Sequence, residues 1–393
     1  MINSIETIVC NGSSHRRELH RAGWIIVDSS NIIENGYLEI ENGFIRGVHK
    51  GRLKEKCIDH GPGIIMPPLV NTHLHLELSA LKGSMPFDKG FEFWVKTLLE
   101  KREALGKEKL IKEARKAARQ LMESGNRYVG EISTLGITES IIKDSGLKGV
   151  FFHEFLGSNI QQPWFIQKTD SVSSSVAGHA PHTSSPRLLM ALKKCSGLDG
   201  LPFCIHVAES DDETRFIRDK KGAWADFLTL REIDWSSWDI GSKTPVQYVN
   251  DMGLLDPLTI VVHALTANDA DMELLARSKT KVCVCPRSNW NLHGKLPDIK
   301  TMIKKGIQPA LGTDSLASCD SLNIFDEMAF VQNHYPGLDP AIVFSMATIN
   351  GARALGFEQI TGTLSKGKKA EFLYRSVCIK NKKDLFQRII SND

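Results

Sequence analysis

The sequence predicts an α/β protein: a closed, TIM-like (β/α)8 barrel, with pieces of small antiparallel sheet at both chain ends. Three observations predict it. From about residue 64 to residue 351, short apolar strands alternate with amphipathic helical stretches, the pattern of a parallel sheet covered by helices. The strands are almost continuously apolar, so both of their faces are buried, and about 290 residues accommodate eight strand–helix units. The two ends have a different, glycine-punctuated texture. The expected boundaries are 1–64, 65–351 and 352–393.

At the N-terminal end, residues 22–27 form an apolar run and residues 36–40 alternate. Glu41-Asn42-Gly43 is a turn signal before Phe44-Ile45-Arg46. In the centre, strands are expected over 128–132, 149–152, 203–207, 258–263, 281–285 and 309–314. Residues 108–124 carry alanines and leucines at helical spacing. Residues 268–277 form a second helix, opened by a capping asparagine and early acids that suit the positive end of the dipole. At the C-terminal end, Gly362-Thr363-Leu364 leads through Gly367 to a strand over 370–374. A doubly wound open sheet would need a glycine-rich phosphate loop after its first strand, and residues 71–77 are no such loop.

Composition excludes several function classes. Of 393 residues, 41% are apolar and 24% charged, as in an ordinary soluble globular protein. The net charge is +3 with basic and acidic residues intermixed, which gives no reason to expect a nucleic-acid partner. The short basic stretch 366–369 reads as a solvated turn. No apolar run approaches the ~18 residues of a membrane span, and residues 1–10 lack the layout of a secretory signal. Eight cysteines in a chain of this length make no disulfide framework. Cys204, Cys283 and Cys285 read as buried structural thiols, and the expected location is the cytoplasm.

His73 and His75 are the most informative residues. Two residues apart on a strand, they project from one face and can serve one metal ion. His73, His75, His206, His263 and Asp314 all fall at or just past the ends of apolar runs, where a barrel carries its chemistry. His206 can add a third nitrogen and Asp314 an oxygen, a mixture that suits zinc, iron or another borderline divalent ion. Coordination lowers the pKa of a bound water from about 15.7 toward about 7. Glu209, three residues after His206, can take that water's proton and deliver it to a leaving group. Its other reading is a capping acid on the next helix. His263 can polarise the water or stabilise charge on the addition intermediate.

These residues stand in segments that resemble the amidohydrolase superfamily, in its deaminase and chlorohydrolase branch. The matching pieces are Pro68-Leu69-Val70-Asn71-Thr72-His73-Leu74-His75-Leu76-Glu77, His206-Val207-Ala208-Glu209, His263-Ala264-Leu265, Cys285-Pro286-Arg287-Ser288-Asn289 and Gly312-Thr313-Asp314-Ser315. They come in the family's order and span essentially the whole chain. The resemblance implies a metal-dependent hydrolase barrel with a small β-sandwich built from both chain termini. It implies one divalent metal on His73, His75, His206 and Asp314, zinc being the expected ion and iron the alternative. It implies catalytic roles for Glu209, His263 and Asp314, and no carbamylated lysine. The reaction would be hydrolytic release of ammonia from an aminated purine or related ring.

Within the branch, the segments 76–80, 285–289 and 227–255 resemble the aminofutalosine deaminase subgroup, which would place the reaction in menaquinone biosynthesis. The alternatives are deamination of adenosylhomocysteine, methylthioadenosine or guanine, C–N or C–Cl hydrolysis of another N-heterocycle, and a non-catalytic metal-binding barrel. The segment Gly178-His179-Ala180-Pro181-His182-Thr183 resembles a family segment whose first histidine meets the purine, so His179 is carried over, while the role of His182 stays open. Arg287 has two readings, a clamp for a substrate carboxylate or phosphate and a partner for a nearby acid. Ser288, counted with the substrate-binding residues, and Asn289 order that loop. Trp94, with Phe91 and Phe93, walls the pocket or packs a helix on the barrel. The chain departs from the family near its end, where Gly367-Lys368-Lys369-Ala370-Glu371 has glutamate in place of the usual aspartate. The expected partner is a small-molecule substrate, with no nucleic acid and no membrane, and a homodimer is left open.

Overall fold

The computed structural model describes residues 5–10, 17–51, 55–160, 163–231, 233–379 and 381–391; residues 1–4 of the stretch tested for a secretory signal lie outside these. Six strands open the chain: β1 (Ile5–Val9), β2 (Arg17–Ile26), β3 (Ile32–Glu41), β4 (Phe44–Lys50), β5 (Ile58–Asp59) and β6 (Ile64–Met66). The central strands are β7 (Leu69–His75), β8 (Asn126–Ser133), β9 (Lys148–Phe155), β10 (Val172–Gly178), β11 (Phe203–Val207), β12 (Thr259–His263), β13 (Lys281–Val284), β14 (Ala310–Leu311) and β15 (Asp314–Ser315). The last strand is β16 (Glu371–Arg375).

Strands β7 to β13 lie side by side in sequence order, all parallel. The eighth position is divided. β14 pairs with β13, and three residues later β15 pairs with β7, so the run 310–315 closes the barrel. Gly312 makes the closure possible. A Cβ there would sit 2.9 Å from the carbonyl oxygen of His73 and 2.8 Å from Cys283 Sγ, closer than side-chain carbons tolerate. Every residue of β7, β8, β10, β11 and β12 is buried, as near-continuous apolar strands require. One apolar cluster joins the strands to the surrounding helices. A second gathers Tyr128, Phe152, Cys204, Val262 and Cys283.

The chain termini build a separate seven-stranded sheet in the order β1-β16-β6-β2-β3-β4, with β5 beside β2. It curls over a core of its own, including Ile25, Leu38, Ile45 and Phe372. Hydrogen bonds from Ile45 N to Lys368 O (2.9 Å) and Ala370 N to Gly43 O (2.8 Å) bring the β4 end back against the segment entering β16. Among the described residues, no helix is long and apolar enough to cross a membrane.

Glu371 fixes this sheet to the barrel. Its carboxylate accepts from Tyr128 Oη (3.1 Å), lies 3.5 Å from Arg127 Nε and pairs with Lys148. The longer side chain at the position where the family has aspartate thus reaches the lower ends of β8 and β9.

Candidate active site

Strand alternation on β7 turns His73 and His75 to one face, and β11 brings His206 opposite them. His73 Nε2 lies 3.2 Å from His75 Nε2 and 3.1 Å from His206 Nε2. All three rings are buried. With metal–nitrogen bonds of about 2.0–2.1 Å, the edges of a tetrahedral site are about 3.3 Å, so a single cation between these nitrogens satisfies all three lone pairs. His206 Nδ1 donates to the carbonyl of His179 (2.8 Å), which leaves Nε2 as the lone-pair atom. Asp314 Oδ1 is 3.7 Å from His75 Nε2. Its Oδ2 is held by Ser288 Oγ (2.6 Å) and Ser318 Oγ (3.0 Å), so the other oxygen stays turned to the histidines. This donor set fits a divalent ion of the zinc or iron type.

Burial, then the neighbouring histidines, hold His73 and His75 well below the usual imidazole range. They are neutral at pH 7, the form that lends a lone pair to a metal. His206 differs. Burial lowers it, but the carboxylates of Glu154, Glu209 and Asp314 outweigh burial and raise it.

Glu209 follows β11 and faces the same cavity. The helix Asp211–Asp219 is capped by Ser210, which accepts from Glu213 N, so Glu209 is not its capping acid. Glu213 accepts from the backbone amides of Ala208 (2.9 Å) and Glu209 (2.7 Å) and fixes the turn that aims Glu209. Burial would push the Glu209 carboxyl up, but His263, His293 and His206 hold it below the usual carboxylate range. Glu209 Oε1 stands 3.6 Å from His263 Nε2 and 3.7 Å from His293 Nε2. Asn289 Nδ2 donates to His263 Nδ1 (3.0 Å), which leaves the His263 ring proton on Nε2, toward Glu209. Ala208, His263, Ala264 and Asp314 all have positive φ, from 48° to 76°. Non-glycine residues adopt this conformation uncommonly, and four buried ones together persist only where the surroundings over-determine them.

Above these groups opens a cleft, about 970 Å³ of empty space when the part open to solvent is counted. The first half of the helix Phe91–Glu123, which breaks at Gly106, supplies Phe91, Trp94, Leu98 and Arg102 to one wall. Trp224 and Phe227 stand in the other. His179 lines the cleft with Nδ1 2.6 Å from Thr183 Oγ1. His182 also lines it, its ring 4.3 Å from Trp224 and both nitrogens without a hydrogen-bond partner among the described residues.

Of the residues singled out in the sequence, His73, His75, His206, Glu209, His263 and Asp314 converge at the cleft floor. His179 and Trp94 line its walls. Ser288 reaches Asp314 and not the cleft. Arg287 is also absent from the lining. Its guanidinium pairs with Asp320 and lies 3.8 Å from Glu327, and its backbone N donates to Glu327 (2.8 Å). Sequence reasoning missed His293, Glu213, Glu154 and Arg102. His293 and Arg102 reach the site from helix faces with no strand-end position to mark them. Glu213 sits one turn past a recognised motif, and Glu154 at the end of β9, 3.8 Å from His206 Nδ1, was detectable by the strand-end rule applied to the ligands.

The model of the amidohydrolase family matches residues 158–376. The chain is 29% identical to aminodeoxyfutalosine deaminase from Deinococcus radiodurans over 75% of this chain and 73% of that protein. It is 28% identical to 5'-deoxyadenosine deaminase from Methanosphaera stadtmanae over 81% of this chain and 75% of that one. The crystal structure of aminofutalosine deaminase from Helicobacter pylori with methylthio-coformycin superposes with a TM-score of 0.83. It is 21% identical and covers 95% of this chain and 96% of that one.

Proposed function

The chain belongs to the amidohydrolase family, and from that premise we propose that it is a hydrolytic deaminase releasing ammonia from the 6-amino group of a purine nucleoside, with aminofutalosine as its substrate. The carrying observation is the convergence of three imidazole Nε2 atoms and Asp314 beside a buried, ionised Glu209, under a cleft walled by aromatic side chains. Deaminase relatives acting on adenine nucleosides support the reaction class.

His73, His75, His206 and Asp314 would hold one divalent cation, zinc in this reading. When bound, it supplies Lewis acidity and makes water nucleophilic at neutral pH. The remaining work falls to the chain itself. Glu209 takes the proton from the attacking water and passes it to the departing amine. The C–N bond breaks and ammonia leaves; the second water proton ends on the adjacent ring nitrogen, and the ring carbon is left as a carbonyl. His263, its proton on Nε2 and 3.6 Å from Glu209, orients the attacking water beside that carboxylate. Trp94, Trp224 and Phe227 exclude water and give the base apolar surfaces. His179 and His182 offer ring nitrogens to the nucleoside.

Aminofutalosine is favoured by the motif segments 76–80 and 285–289 and by the Deinococcus relative. It is also favoured by Arg102, the only guanidinium among the cleft-lining residues, which lies 3.7 Å from the buried Glu77 carboxylate and is the one cationic fork there for a substrate tail ending in carboxylate. Ammonia release with aminofutalosine, 5'-deoxyadenosine, methylthioadenosine, adenosylhomocysteine, adenosine and guanine tests the reading. The highest kcat/KM is expected with aminofutalosine. A higher value with any other nucleoside reassigns the substrate, and no ammonia from any of them rejects the deaminase.

A further inference from the structure

The terminal sheet holds a second cluster of side chains of metal-ligating type, far from the barrel histidines in sequence and built from different donors. Cys10 directly follows β1, and its backbone N donates to Ala370 O (3.0 Å). Glu18 and His20 lie two residues apart on β2 and project from one face. His20 Nε2 is 3.6 Å from Cys10 Sγ and 3.3 Å from Glu18 Oε2. The sulfur, the nitrogen and the carboxylate oxygen all lie within 4.8 Å of one another.

These separations have the size a zinc ion imposes. With Zn–S of about 2.3 Å and Zn–N of about 2.0–2.1 Å, a tetrahedral site has a sulfur–nitrogen edge of about 3.6 Å. Its nitrogen–oxygen edge is about 3.3 Å. The surroundings also suit a ligand. His20 Nδ1 is 3.0 Å from His60 Nε2. At that distance His60 Nε2 can accept the His20 Nδ1 proton. That directs the His20 Nε2 lone pair at the cluster, the arrangement in which a hydrogen bond to the far nitrogen orients a metal-bound histidine. His20 is buried and packs edge-on against Phe372 on β16, ring centroids 5.0 Å apart, so its ring has little freedom to turn away.

We propose that Cys10, Glu18 and His20 form a divalent-cation site of the zinc class, separate from the barrel centre. Binding replaces the Cys10 thiol proton, which leaves to solvent. The bound ion ties the end of β1 to β2 across the two strands, β16 and β6, that lie between them. Its role is to brace the sheet. Nothing in this inference depends on the proposed substrate.

Cobalt(II) titration of the metal-free full chain provides the test. The barrel donors are nitrogen and oxygen only, so thiolate-to-cobalt charge-transfer absorption reports the second site and not the first. The expected result is two tightly held equivalents per chain, with that absorption accompanying one of them. Cys10→Ser is expected to remove the absorption and one equivalent while the barrel equivalent remains, which also shows that the variant is folded. In the unsubstituted protein, zinc is expected to protect Cys10 from alkylation, mapped by mass spectrometry, more than the exposed Cys378. A single tight equivalent without the absorption overturns the proposal. So does absorption that survives Cys10→Ser, or alkylation of Cys10 that zinc does not slow. In those cases the cluster is a metal-free network in which His20 bonds Glu18.

Discussion

Glu209 is a buried carboxylate kept ionised by the three histidines around it. Replacing Glu209 with Gln keeps the side chain's volume but removes the proton acceptor. Metal content is expected to stay at the wild-type level while kcat falls at least ~100-fold, so near-normal turnover would remove Glu209 from the proton path. Ser288 acts through Asp314, to which its hydroxyl donates. Ser288→Ala is expected to weaken metal affinity by about 10–100-fold, measured by competition with a chelator, with little change in kcat at saturating metal. Arg102 gives the sharpest test of substrate identity. Arg102→Met is expected to raise KM about tenfold or more for a carboxylate-bearing nucleoside and to leave methylthioadenosine nearly unaffected. Equal effects on both would place the substrate tail elsewhere.

Most strands were legible because apolar runs bounded by turn residues are a period-independent sign of burial. β10 was not. Its core reads Val172-Ser173-Ser174-Ser175-Val176, too polar for a buried strand on composition. The hydroxyls find internal partners: Ser173 donates to Thr169 O, Ser174 to Glu139 and Ser175 to Pro202 O. The partners of Ser174 and Ser175 come from segments 35 and 27 residues away and leave no local trace. The helix Asp269–Arg277 was readable from its start, since Asn268 and Asp271 form the capping box that the sequence suggests. Closure at the eighth strand rests on Gly312. Gly312→Ala is expected to cost about 1–3 kcal/mol in chemical unfolding and to lower metal occupancy, because His73 must move. The Glu371 junction carries a pH dependence. Burial would raise this carboxyl, but Lys148 and Arg127 outweigh burial and lower it. Its stabilisation is therefore complete above the unfolded value near about 4.3 and is lost as pH falls through the lower folded value. Glu371→Gln is expected to cost about 2–4 kcal/mol at pH 7, with the difference from wild type shrinking in unfolding curves taken at pH values below about 4.3.

At the scale of the whole molecule, a cation at the barrel mouth would join β7, β11 and the β15 end, elements separated by more than a hundred residues. Ligands that bind only the folded state stabilise it by mass action. Refilling the chelated protein is expected to add about 2.7 kcal/mol at a hundredfold excess of metal over Kd. That should raise Tm by several degrees and restore ammonia release in step with occupancy. Activity that persists after exhaustive chelation would reject a metal-dependent reaction.

The sequence by itself determined the layered architecture and the positions of the six residues that meet at the cleft floor. Strand-end histidines and acids follow apolar runs, and that local order survives any packing detail. Only the tertiary structure decided which groups support them. Arg287 pairs with Asp320 and lies near Glu327, Ser288 serves Asp314, and His293 and Arg102 arrive from helices. The physical reason is that a side chain's partner depends on which distant segment the closed barrel brings within reach, and sequence spacing carries no record of that distance.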